Sequence, residues 1–392
     1  MRIASRPFFL LTAARFSALD TSTAFAPRRS IANQHGNSGH SHRSFRRNLS
    51  SSSLRSSLAS WSSSSSSSSS LRMSSTDADR ADASMLRVAL CQFHVGHDKD
   101  ANEETARTYL AEAKEKGASM AVLPEIWNSP YATSAFPDYA ESLPDIGDGL
   151  ESADGGSDGP KWSSSASRLL MQAARDHGMW IIGGSVPERV LEDGEEKIYN
   201  TCLVLNPEGV VVAKHRKVHL FDIDVPGGIT FFESETLSPG SSVSHFATPF
   251  GEIGVGICYD IRFAEYAMLL RQKHNCSVLV YPGAFNMTTG PAHWELLQKA
   301  RALDNQCFVV TASPARSEEP PAGGETDAGY PHYTAWGHST VVSPWGDVVA
   351  TTDETEGIVV ADLDLGRLAE VRAGIPIQNQ RRTDLYALED LS

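Results

Sequence analysis

The stretch Gly254-Val255-Gly256-Ile257-Cys258-Tyr259-Asp260-Ile261-Arg262-Phe263 decides how the rest of the chain is read. An apolar run leads into Cys258, and an amphipathic helical pattern over 263–273 begins within a few residues, so the stretch predicts a strand, a sharp turn and a helix. A nucleophile at such a turn projects from the end of a sheet. The next backbone N–H, that of Tyr259, points the same way and can stabilise an oxyanion. The helix N-terminus beside it would favour the thiolate. The alternative is a small buried hydrophobe, the commonest fate of a free cysteine.

Outward from this turn the chain alternates strands and helices. Residues 86–93, 120–123, 179–182, 277–281, 308–312 and 357–363 read as strands. Residues 102–116 read as a helix with Thr105, Tyr109, Leu110 and Ala113 about a turn apart, ended by Gly117. Residues 169–177 form a second helix closed by Gly178, and 294–305 a further one. The tetrapeptides Asn206–Gly209, Thr248–Gly251 and Ser343–Gly346 each place Pro second and Gly fourth between β-rich runs, the preference of a type I turn, and predict hairpins. Strands mixed between hairpins and βαβ crossovers predict an α/β domain of sheets covered by helices, over residues 85–392. The polar stretches Asp145–Ser165 and Arg316–His332 are longer than ordinary connections and read as surface loops or lids.

The first 84 residues are another kind of sequence. Of the 392, residues 1–75 hold ten arginines, no lysine and a single acid, Asp20, whereas the remainder carries 24 basic and 47 acidic residues, a net of −23. With a serine run over Ser62–Ser70, the N-terminal segment cannot build a core. Arg-rich, Ser-rich and acid-poor composition predicts an organelle presequence, against the alternative of a tail without an address. Ser22-Thr23-Ala24-Phe25-Ala26-Pro27 resembles the cleavage motif of presequences for plastids acquired by secondary endosymbiosis. A mitochondrial address fits the same residues, and Met73 offers an internal start that would leave the protein cytosolic. The acidic body argues against nucleic acid as a partner, and no run of 18 apolar residues suggests a membrane span. Five cysteines without a CxxC pair argue against a disulfide framework or a zinc knuckle.

Two further residues can carry chemistry beside Cys258. Glu125, in Val122-Leu123-Pro124-Glu125-Ile126, sits just past an apolar strand, where desolvation would raise its pKa into the range useful for proton shuttling. An ordinary strand-end ion pair is the alternative. Lys217 lies in the basic cluster Lys214-His215-Arg216-Lys217-Val218-His219 at the end of the strand 210–213. Beside a cysteine and a glutamate it would lower the thiol pKa and stabilise a tetrahedral oxyanion, whereas a solvated basic turn would do neither. His215 and His219 have helical metal-pair spacing, but the flanking β-pattern and the lack of a third ligand argue against zinc.

In combination the motifs are more telling. PEIWNSPY (Pro124–Tyr131), KHRKVHLFD (Lys214–Asp222) and GVGICYDIRFAE (Gly254–Glu265), in that order, resemble the Glu, Lys and Cys blocks of the nitrilase superfamily of carbon–nitrogen hydrolases. Residues 221–240, 281–306 and 336–346 look most like its omega-amidase branch, which deaminates 2-oxo acid amides. The resemblance implies a four-layer α-β-β-α sandwich, commonly paired into homodimers, with no metal or organic cofactor. It implies Cys258 as nucleophile, Glu125 as general base and acid, Lys217 as oxyanion stabiliser and Glu233 as a second glutamate that orders the site. The implied substrate is a small amide of a dicarboxylic 2-oxo acid, such as 2-oxoglutaramate or 2-oxosuccinamate.

Such a substrate carries a free carboxylate. Arg262, four residues past Cys258, is placed to face the same cavity and bind it, unless it pairs with Asp260 or Glu265. Tyr131 and Thr288 match the family's hydroxyl donors to that carboxylate and are expected at the pocket rim. The two long polar stretches exceed what the resemblance calls for, and either could cover the pocket mouth. Competing readings are another amidase, a nitrilase or a carbamoylase of the same superfamily, and a catalytically silent scaffold. A papain-like hydrolase is disfavoured because the blocks offer Glu and Lys where a histidine would be needed.

Overall fold

The computed structural model describes residues 84–154, 161–317 and 328–392. The expected presequence, but for Ser84, and the middles of the two long polar stretches lie outside them.

Two sheets stack face to face. The first contains β1 (Met85–Gln92), β2 (Met120–Val122), β3 (Trp180–Ile182), β4 (Val186–Glu192), β5 (Glu195–Leu205), β6 (Val211–Arg216) and β15 (Gly357–Asp364), in the order β15-β1-β2-β3-β5-β4 with β6 also paired to β5. The second runs β14 (Val348–Thr351), β13 (Thr340–Val342), β12 (Phe308–Ala312), β11 (Val278–Pro282), β10 (Gly251–Val255), β9 (Ser244–Thr248). Each sheet has three parallel strands at its centre, β1-β2-β3 and β10-β11-β12, flanked by antiparallel neighbours. A small ribbon, β7 (Asp222–Asp224) with β8 (Thr230–Phe232), stands apart.

Strand periodicity explains the layering. Successive side chains of β1 point to opposite faces: Leu86, Val88 and Leu90 join a core with Ile253, Val255, Val278 and Val280 of the facing sheet, whereas Ala89 and Cys91 face outward into a second core. That outer core is closed by α1 (Lys99–Glu115) and α4 (Ser165–His177). On the far side, α5 (Ala264–Gln272) and α6 (Gly290–Asn305) cover the second sheet through Ala267, Leu270, Trp294 and Ala302. The result is the α-β-β-α order that the family resemblance implies. Two short helices, α2 (Phe136–Tyr139) and α3 (Leu150–Asp154), and a C-terminal α7 (Gly366–Gly374) complete the fold.

Local chemistry sets most boundaries. Asp98 caps α1 by accepting from the Ala101 amide at 3.1 Å, and Ser164 caps α4 by accepting from Ser167 at 2.8 Å. Gly178 closes α4 in the left-handed conformation, at φ 55°. All three Pro/Gly tetrapeptides turn antiparallel hairpins, β5–β6, β9–β10 and β13–β14. A fourth hairpin, β4–β5, turns on Asp193-Gly194, both at positive φ, a two-residue signal the sequence analysis passed over. The buried stripe of α1 is Asn102, Ala106, Leu110 and Ala113; the expected Leu110 and Ala113 belong to it, whereas Thr105 and Tyr109 are only partly buried, with Tyr109 packed against the core.

The stretch Asp145–Ser165 is less loop than expected. Leu150–Asp154 is helical, and Ala153 and Trp162 are buried in the core beneath α1 and α4, so its described parts pack on the outer helical layer. No helix among the described residues is long and apolar enough to cross a membrane.

Candidate active site

The carboxyl ends of β2, β6, β10 and β11 converge, the place where open α/β sheets present their reactive groups. β2 ends at Val122, and the next residues are stapled to the β3–β4 connection. The Trp127 indole donates to the Gly183 carbonyl at 2.7 Å, Ile126 N to Ser185 Oγ at 3.0 Å, and Ser185 N to the Pro124 carbonyl at 3.1 Å. Gly184 is needed there: at φ +63, a Cβ on it would lie 2.1 Å from the Pro124 oxygen. The staple holds Ile126 at φ 50°, a strained conformation for a β-branched residue, and turns Glu125 inward to complete burial.

Glu125, Lys217, Glu233 and Tyr131 form a closed network. Lys217 Nζ lies 2.9 Å from Glu125 Oε1 and 2.9 Å from Glu233. Asn200 Nδ2, from β5, donates to Glu125 Oε1 at 2.9 Å, and the Ala284 amide donates to Glu125 Oε2 at 2.8 Å. The Tyr131 hydroxyl donates to Glu233 Oε1 at 2.8 Å and lies 3.2 Å from Glu125 Oε1, while the Phe221 amide donates to Glu233 Oε2 at 2.7 Å. Lys217 and both glutamates are wholly buried, which only this mutual satisfaction makes tolerable. Burial works against the Lys217 charge, but the facing Glu125 and Glu233 outweigh it and hold the ammonium well above its ordinary pKa. Burial, with the charge of Glu125 added, raises Glu233, and Lys217 offsets this only in part.

Cys258 opens a 3-10 turn, Cys258–Arg262, that links β10 to α5, and its φ of 46° marks the sharp turn foreseen in the sequence. The turn is packed closely from behind, since a Cβ on Gly283 would lie 3.2 Å from Cys258 Cα. The Glu125 carboxylate lies near the Cys258 thiol. One expectation is corrected here. Burial first, and then the Glu125 charge, push the thiol well above its ordinary pKa, and the opposing pull of Lys217 does not compensate. The resting group is a thiol, so a base must take its proton at the moment of attack. The Tyr259 amide belongs to the first turn of the 3-10 segment, where N–H groups lack intrahelical acceptors.

The remaining expected residues are placed as follows. Arg262 ends the turn with its guanidinium 5.3 Å from the Tyr259 ring centroid and 4.7 Å from that of Phe285. Its Nη1 is 3.2 Å from His293 Nδ1, and its Nε is buried without a partner. Neither Asp260 nor Glu265 pairs with it, and burial lowers its pKa while Cys258 and Tyr259 oppose that shift. Thr288 is exposed on the loop before α6, its amide donating to Asn286 Oδ1 at 3.0 Å, and it borders Gly228 of the β7–β8 turn. Tyr131 is not at a rim: it is buried, with its hydroxyl held by the two glutamates.

Sequence reasoning missed Asn200, whose signal was a lone amide inside the apolar run of β5, and Tyr333. The Tyr333 ring stacks on Tyr131 with centroids 4.5 Å apart, and its hydroxyl donates to the Ala284 carbonyl at 2.5 Å. Nothing local in Pro331-His332-Tyr333 announces that contact.

The carbon-nitrogen hydrolase family model matches residues 87–373. The chain is similar to omega-amidase NIT2 of Xenopus tropicalis, with 52% identity over 304 residues that cover 78% of this chain and 98% of that one. It is similar to the human omega-amidase NIT2 at 48% identity over 303 residues, 77% of this chain and 97% of that one. Among solved structures it resembles Saccharomyces cerevisiae Nit3, a member of branch 10 of the nitrilase superfamily, with a TM-score of 0.64 and 38% identity over 76% of this chain and 97% of that one.

Proposed function

The chain belongs to the carbon–nitrogen hydrolase family, and from that premise we propose that it is an omega-amidase acting on the terminal amide of a small 2-oxo dicarboxylic acid monoamide. The observation that carries the substrate class is Arg262, a half-buried guanidinium without a carboxylate partner on the same short turn as Cys258. A charge left so by the protein is completed by an anionic ligand, and a guanidinium binds a carboxylate through two parallel hydrogen bonds.

The chemistry follows from the buried network. Glu125 accepts the thiol proton as Cys258 attacks the amide carbon. The oxyanion forms against the Lys217 ammonium and the Tyr259 N–H, both fixed beforehand, so no reorganisation is required at the transition state. Glu125 returns the proton to the departing nitrogen and ammonia leaves, with a thioester on Cys258. Water, deprotonated by Glu125, then attacks the thioester carbonyl, and the dicarboxylate leaves as the thiol is restored. Glu233 holds Lys217 from its second side. Tyr131 ties the two glutamates together, and Thr288 lies on the loop that leads into α6, whose His293 meets Arg262; both are assigned to the substrate pocket.

The same reading extends to assembly and location. Leu296, Leu303 and Trp345 expose apolar surface on and beside α6, which supports a homodimer closed through this face. The arginine- and serine-rich N-terminal segment supports delivery to a plastid or mitochondrion. The test of function is ammonia release from 2-oxosuccinamate and 2-oxoglutaramate compared with neutral amides of similar size. Turnover of the acids with little on the neutral amides is expected. Equal turnover of both would leave a carbon–nitrogen hydrolase of another specificity.

A further inference from the structure

Asp260 lies two residues past the nucleophile, is wholly buried, and takes no part in the chemistry above. Its carboxylate is nonetheless saturated. Oδ1 accepts from the His219 amide at 2.9 Å and faces His219 Nδ1 at 2.8 Å. Oδ2 accepts from the Ile257 amide at 2.8 Å and faces His215 Nε2 at 3.0 Å. An ionised carboxylate only accepts, so both imidazole atoms facing it carry hydrogens. Burial disfavours the anion, but His215 and His219 outweigh it and hold Asp260 well below the usual carboxylate range. The His215 ring is fixed at its other nitrogen, 3.0 Å from Ser244 Oγ on β9.

The spacing of these partners matters. His215 lies in β6, Lys217 directly follows the strand, and His219 sits in the bend just beyond. The outer two grip Asp260 in the nucleophile turn, and the middle one reaches Glu125 and Glu233. β6 belongs to the first sheet and Cys258 hangs from the second, so this grip ties the two halves of the site across the sandwich. From the opposite side Arg301 of α6 donates to the carbonyls of Ile261 and Arg262, both at 2.8 Å, so the turn is held at both ends.

We propose that Asp260, clasped by His215 and His219, is a positioning residue that sets Lys217 against Cys258 by pinning the end of β6 to the nucleophile turn. The proposal rests on the roles given above to Cys258 and Lys217. It assigns the paired histidines a purpose that neither metal binding nor a solvated basic turn would give them.

Asp260→Asn in the full chain tests it, because an amide turns an NH2 toward two of the four donors and cannot keep the pin closed. Expected is a fall in kcat for 2-oxosuccinamate of about 100-fold with KM held within about threefold, the size of loss that small misplacement of reacting groups produces. Alkylation of Cys258 by iodoacetamide should slow by about tenfold or more and follow a displaced pH profile. His219→Ala removes one side-chain donor from the solvent-facing end of the pin and should cost about tenfold in kcat, with His219→Gln recovering part of it. If Asp260→Asn does not fold, the His219 pair decides, and equal activity of Ala and Gln with wild type would overturn the pin. Asp260→Asn with kcat within about threefold of wild type, or activity lost only in proportion to unfolded protein, would overturn it as well. Cys258→Ala separates the two readings: if it still releases ammonia, the nucleophile assignment fails, and the alkylation rates alone decide the pin.

Discussion

Two regions of the site treat buried charge in opposite ways. Around Glu125, Lys217 and Glu233 the protein closes every contact on itself: two carboxylates share an ammonium, and amides from Ala284 and Phe221 and the side chains of Asn200 and Tyr131 take up the remaining oxygens. Around Arg262 it leaves a guanidinium against two aromatic rings and an imidazole, with no carboxylate and with Nε unpaired. A closed network is rigid and ready before the substrate arrives. An open one waits for the ligand to complete it, and therefore discriminates among ligands. Catalytic power and specificity are thus stored in separate places, the first on segments that follow β2, β6 and β8 and the second on the nucleophile turn.

The comparison breaks first at its reacting atom. Cys258→Ala should abolish ammonia release, by about 10⁴-fold or more, with the fold intact by circular dichroism, and residual turnover above that level would remove the thioester route. Next comes the closed region. Lys217→Met should lower kcat by about 10³-fold and destabilise by about 3–5 kcal/mol in urea titrations, because it leaves Glu125 and Glu233 buried and facing one another. Loss of activity without loss of stability would show that the network is less closed than its distances say.

The open region should behave otherwise. Arg262→Ala is expected to lower kcat/KM for 2-oxosuccinamate by about 10–100-fold, the value of a charged hydrogen-bond pair, while turnover of a neutral amide and stability change little. A parallel loss on neutral amides would mean that Arg262 shapes the turn and does not read the substrate. The smallest effect concerns the anchor of the closed region. Asp260 has a depressed pKa in the folded protein, so the stability it contributes is present above its unfolded value of about 3.9 and is lost as pH falls toward and through the folded one. The stability difference between wild type and Asp260→Asn in urea should therefore narrow progressively below about pH 4. A constant difference would mean that Asp260 enters the fold protonated.

Much of this was legible in the chain. Pro and Gly at fixed offsets marked three hairpins, and the run into Cys258 marked the strand, turn and helix that carry the nucleophile. Glu125 stood out because it follows an apolar strand, where a charge has to be justified by a partner, and Lys217 because it belongs to a cluster of bases at a strand end. Tyr131 was recognised but misplaced. Its position past β2 suggested a rim, whereas the Trp127 and Ser185 staple turns the following segment inward. The direction of the thiol's shift was misjudged for a related reason: a lysine nearby in space is outweighed by burial and by a glutamate on the other sheet, and neither is a local property.

The sequence by itself determined what depends on near neighbours: the alternation of strands and helices, the Pro/Gly hairpin turns, the turn at Cys258, and the kinds of residue available for acid–base and nucleophilic work. Only the tertiary structure decided which of those residues share a site. Glu125 and Lys217 are 92 positions apart and meet at 2.9 Å, Ala284 reaches Glu125 across 159, and Asp260 finds His215 across 45. The first meeting is set by the strand order within one sheet and the other two by the two sheets packing face to face, and that packing is fixed by the summed burial of many side chains, which no single motif encodes.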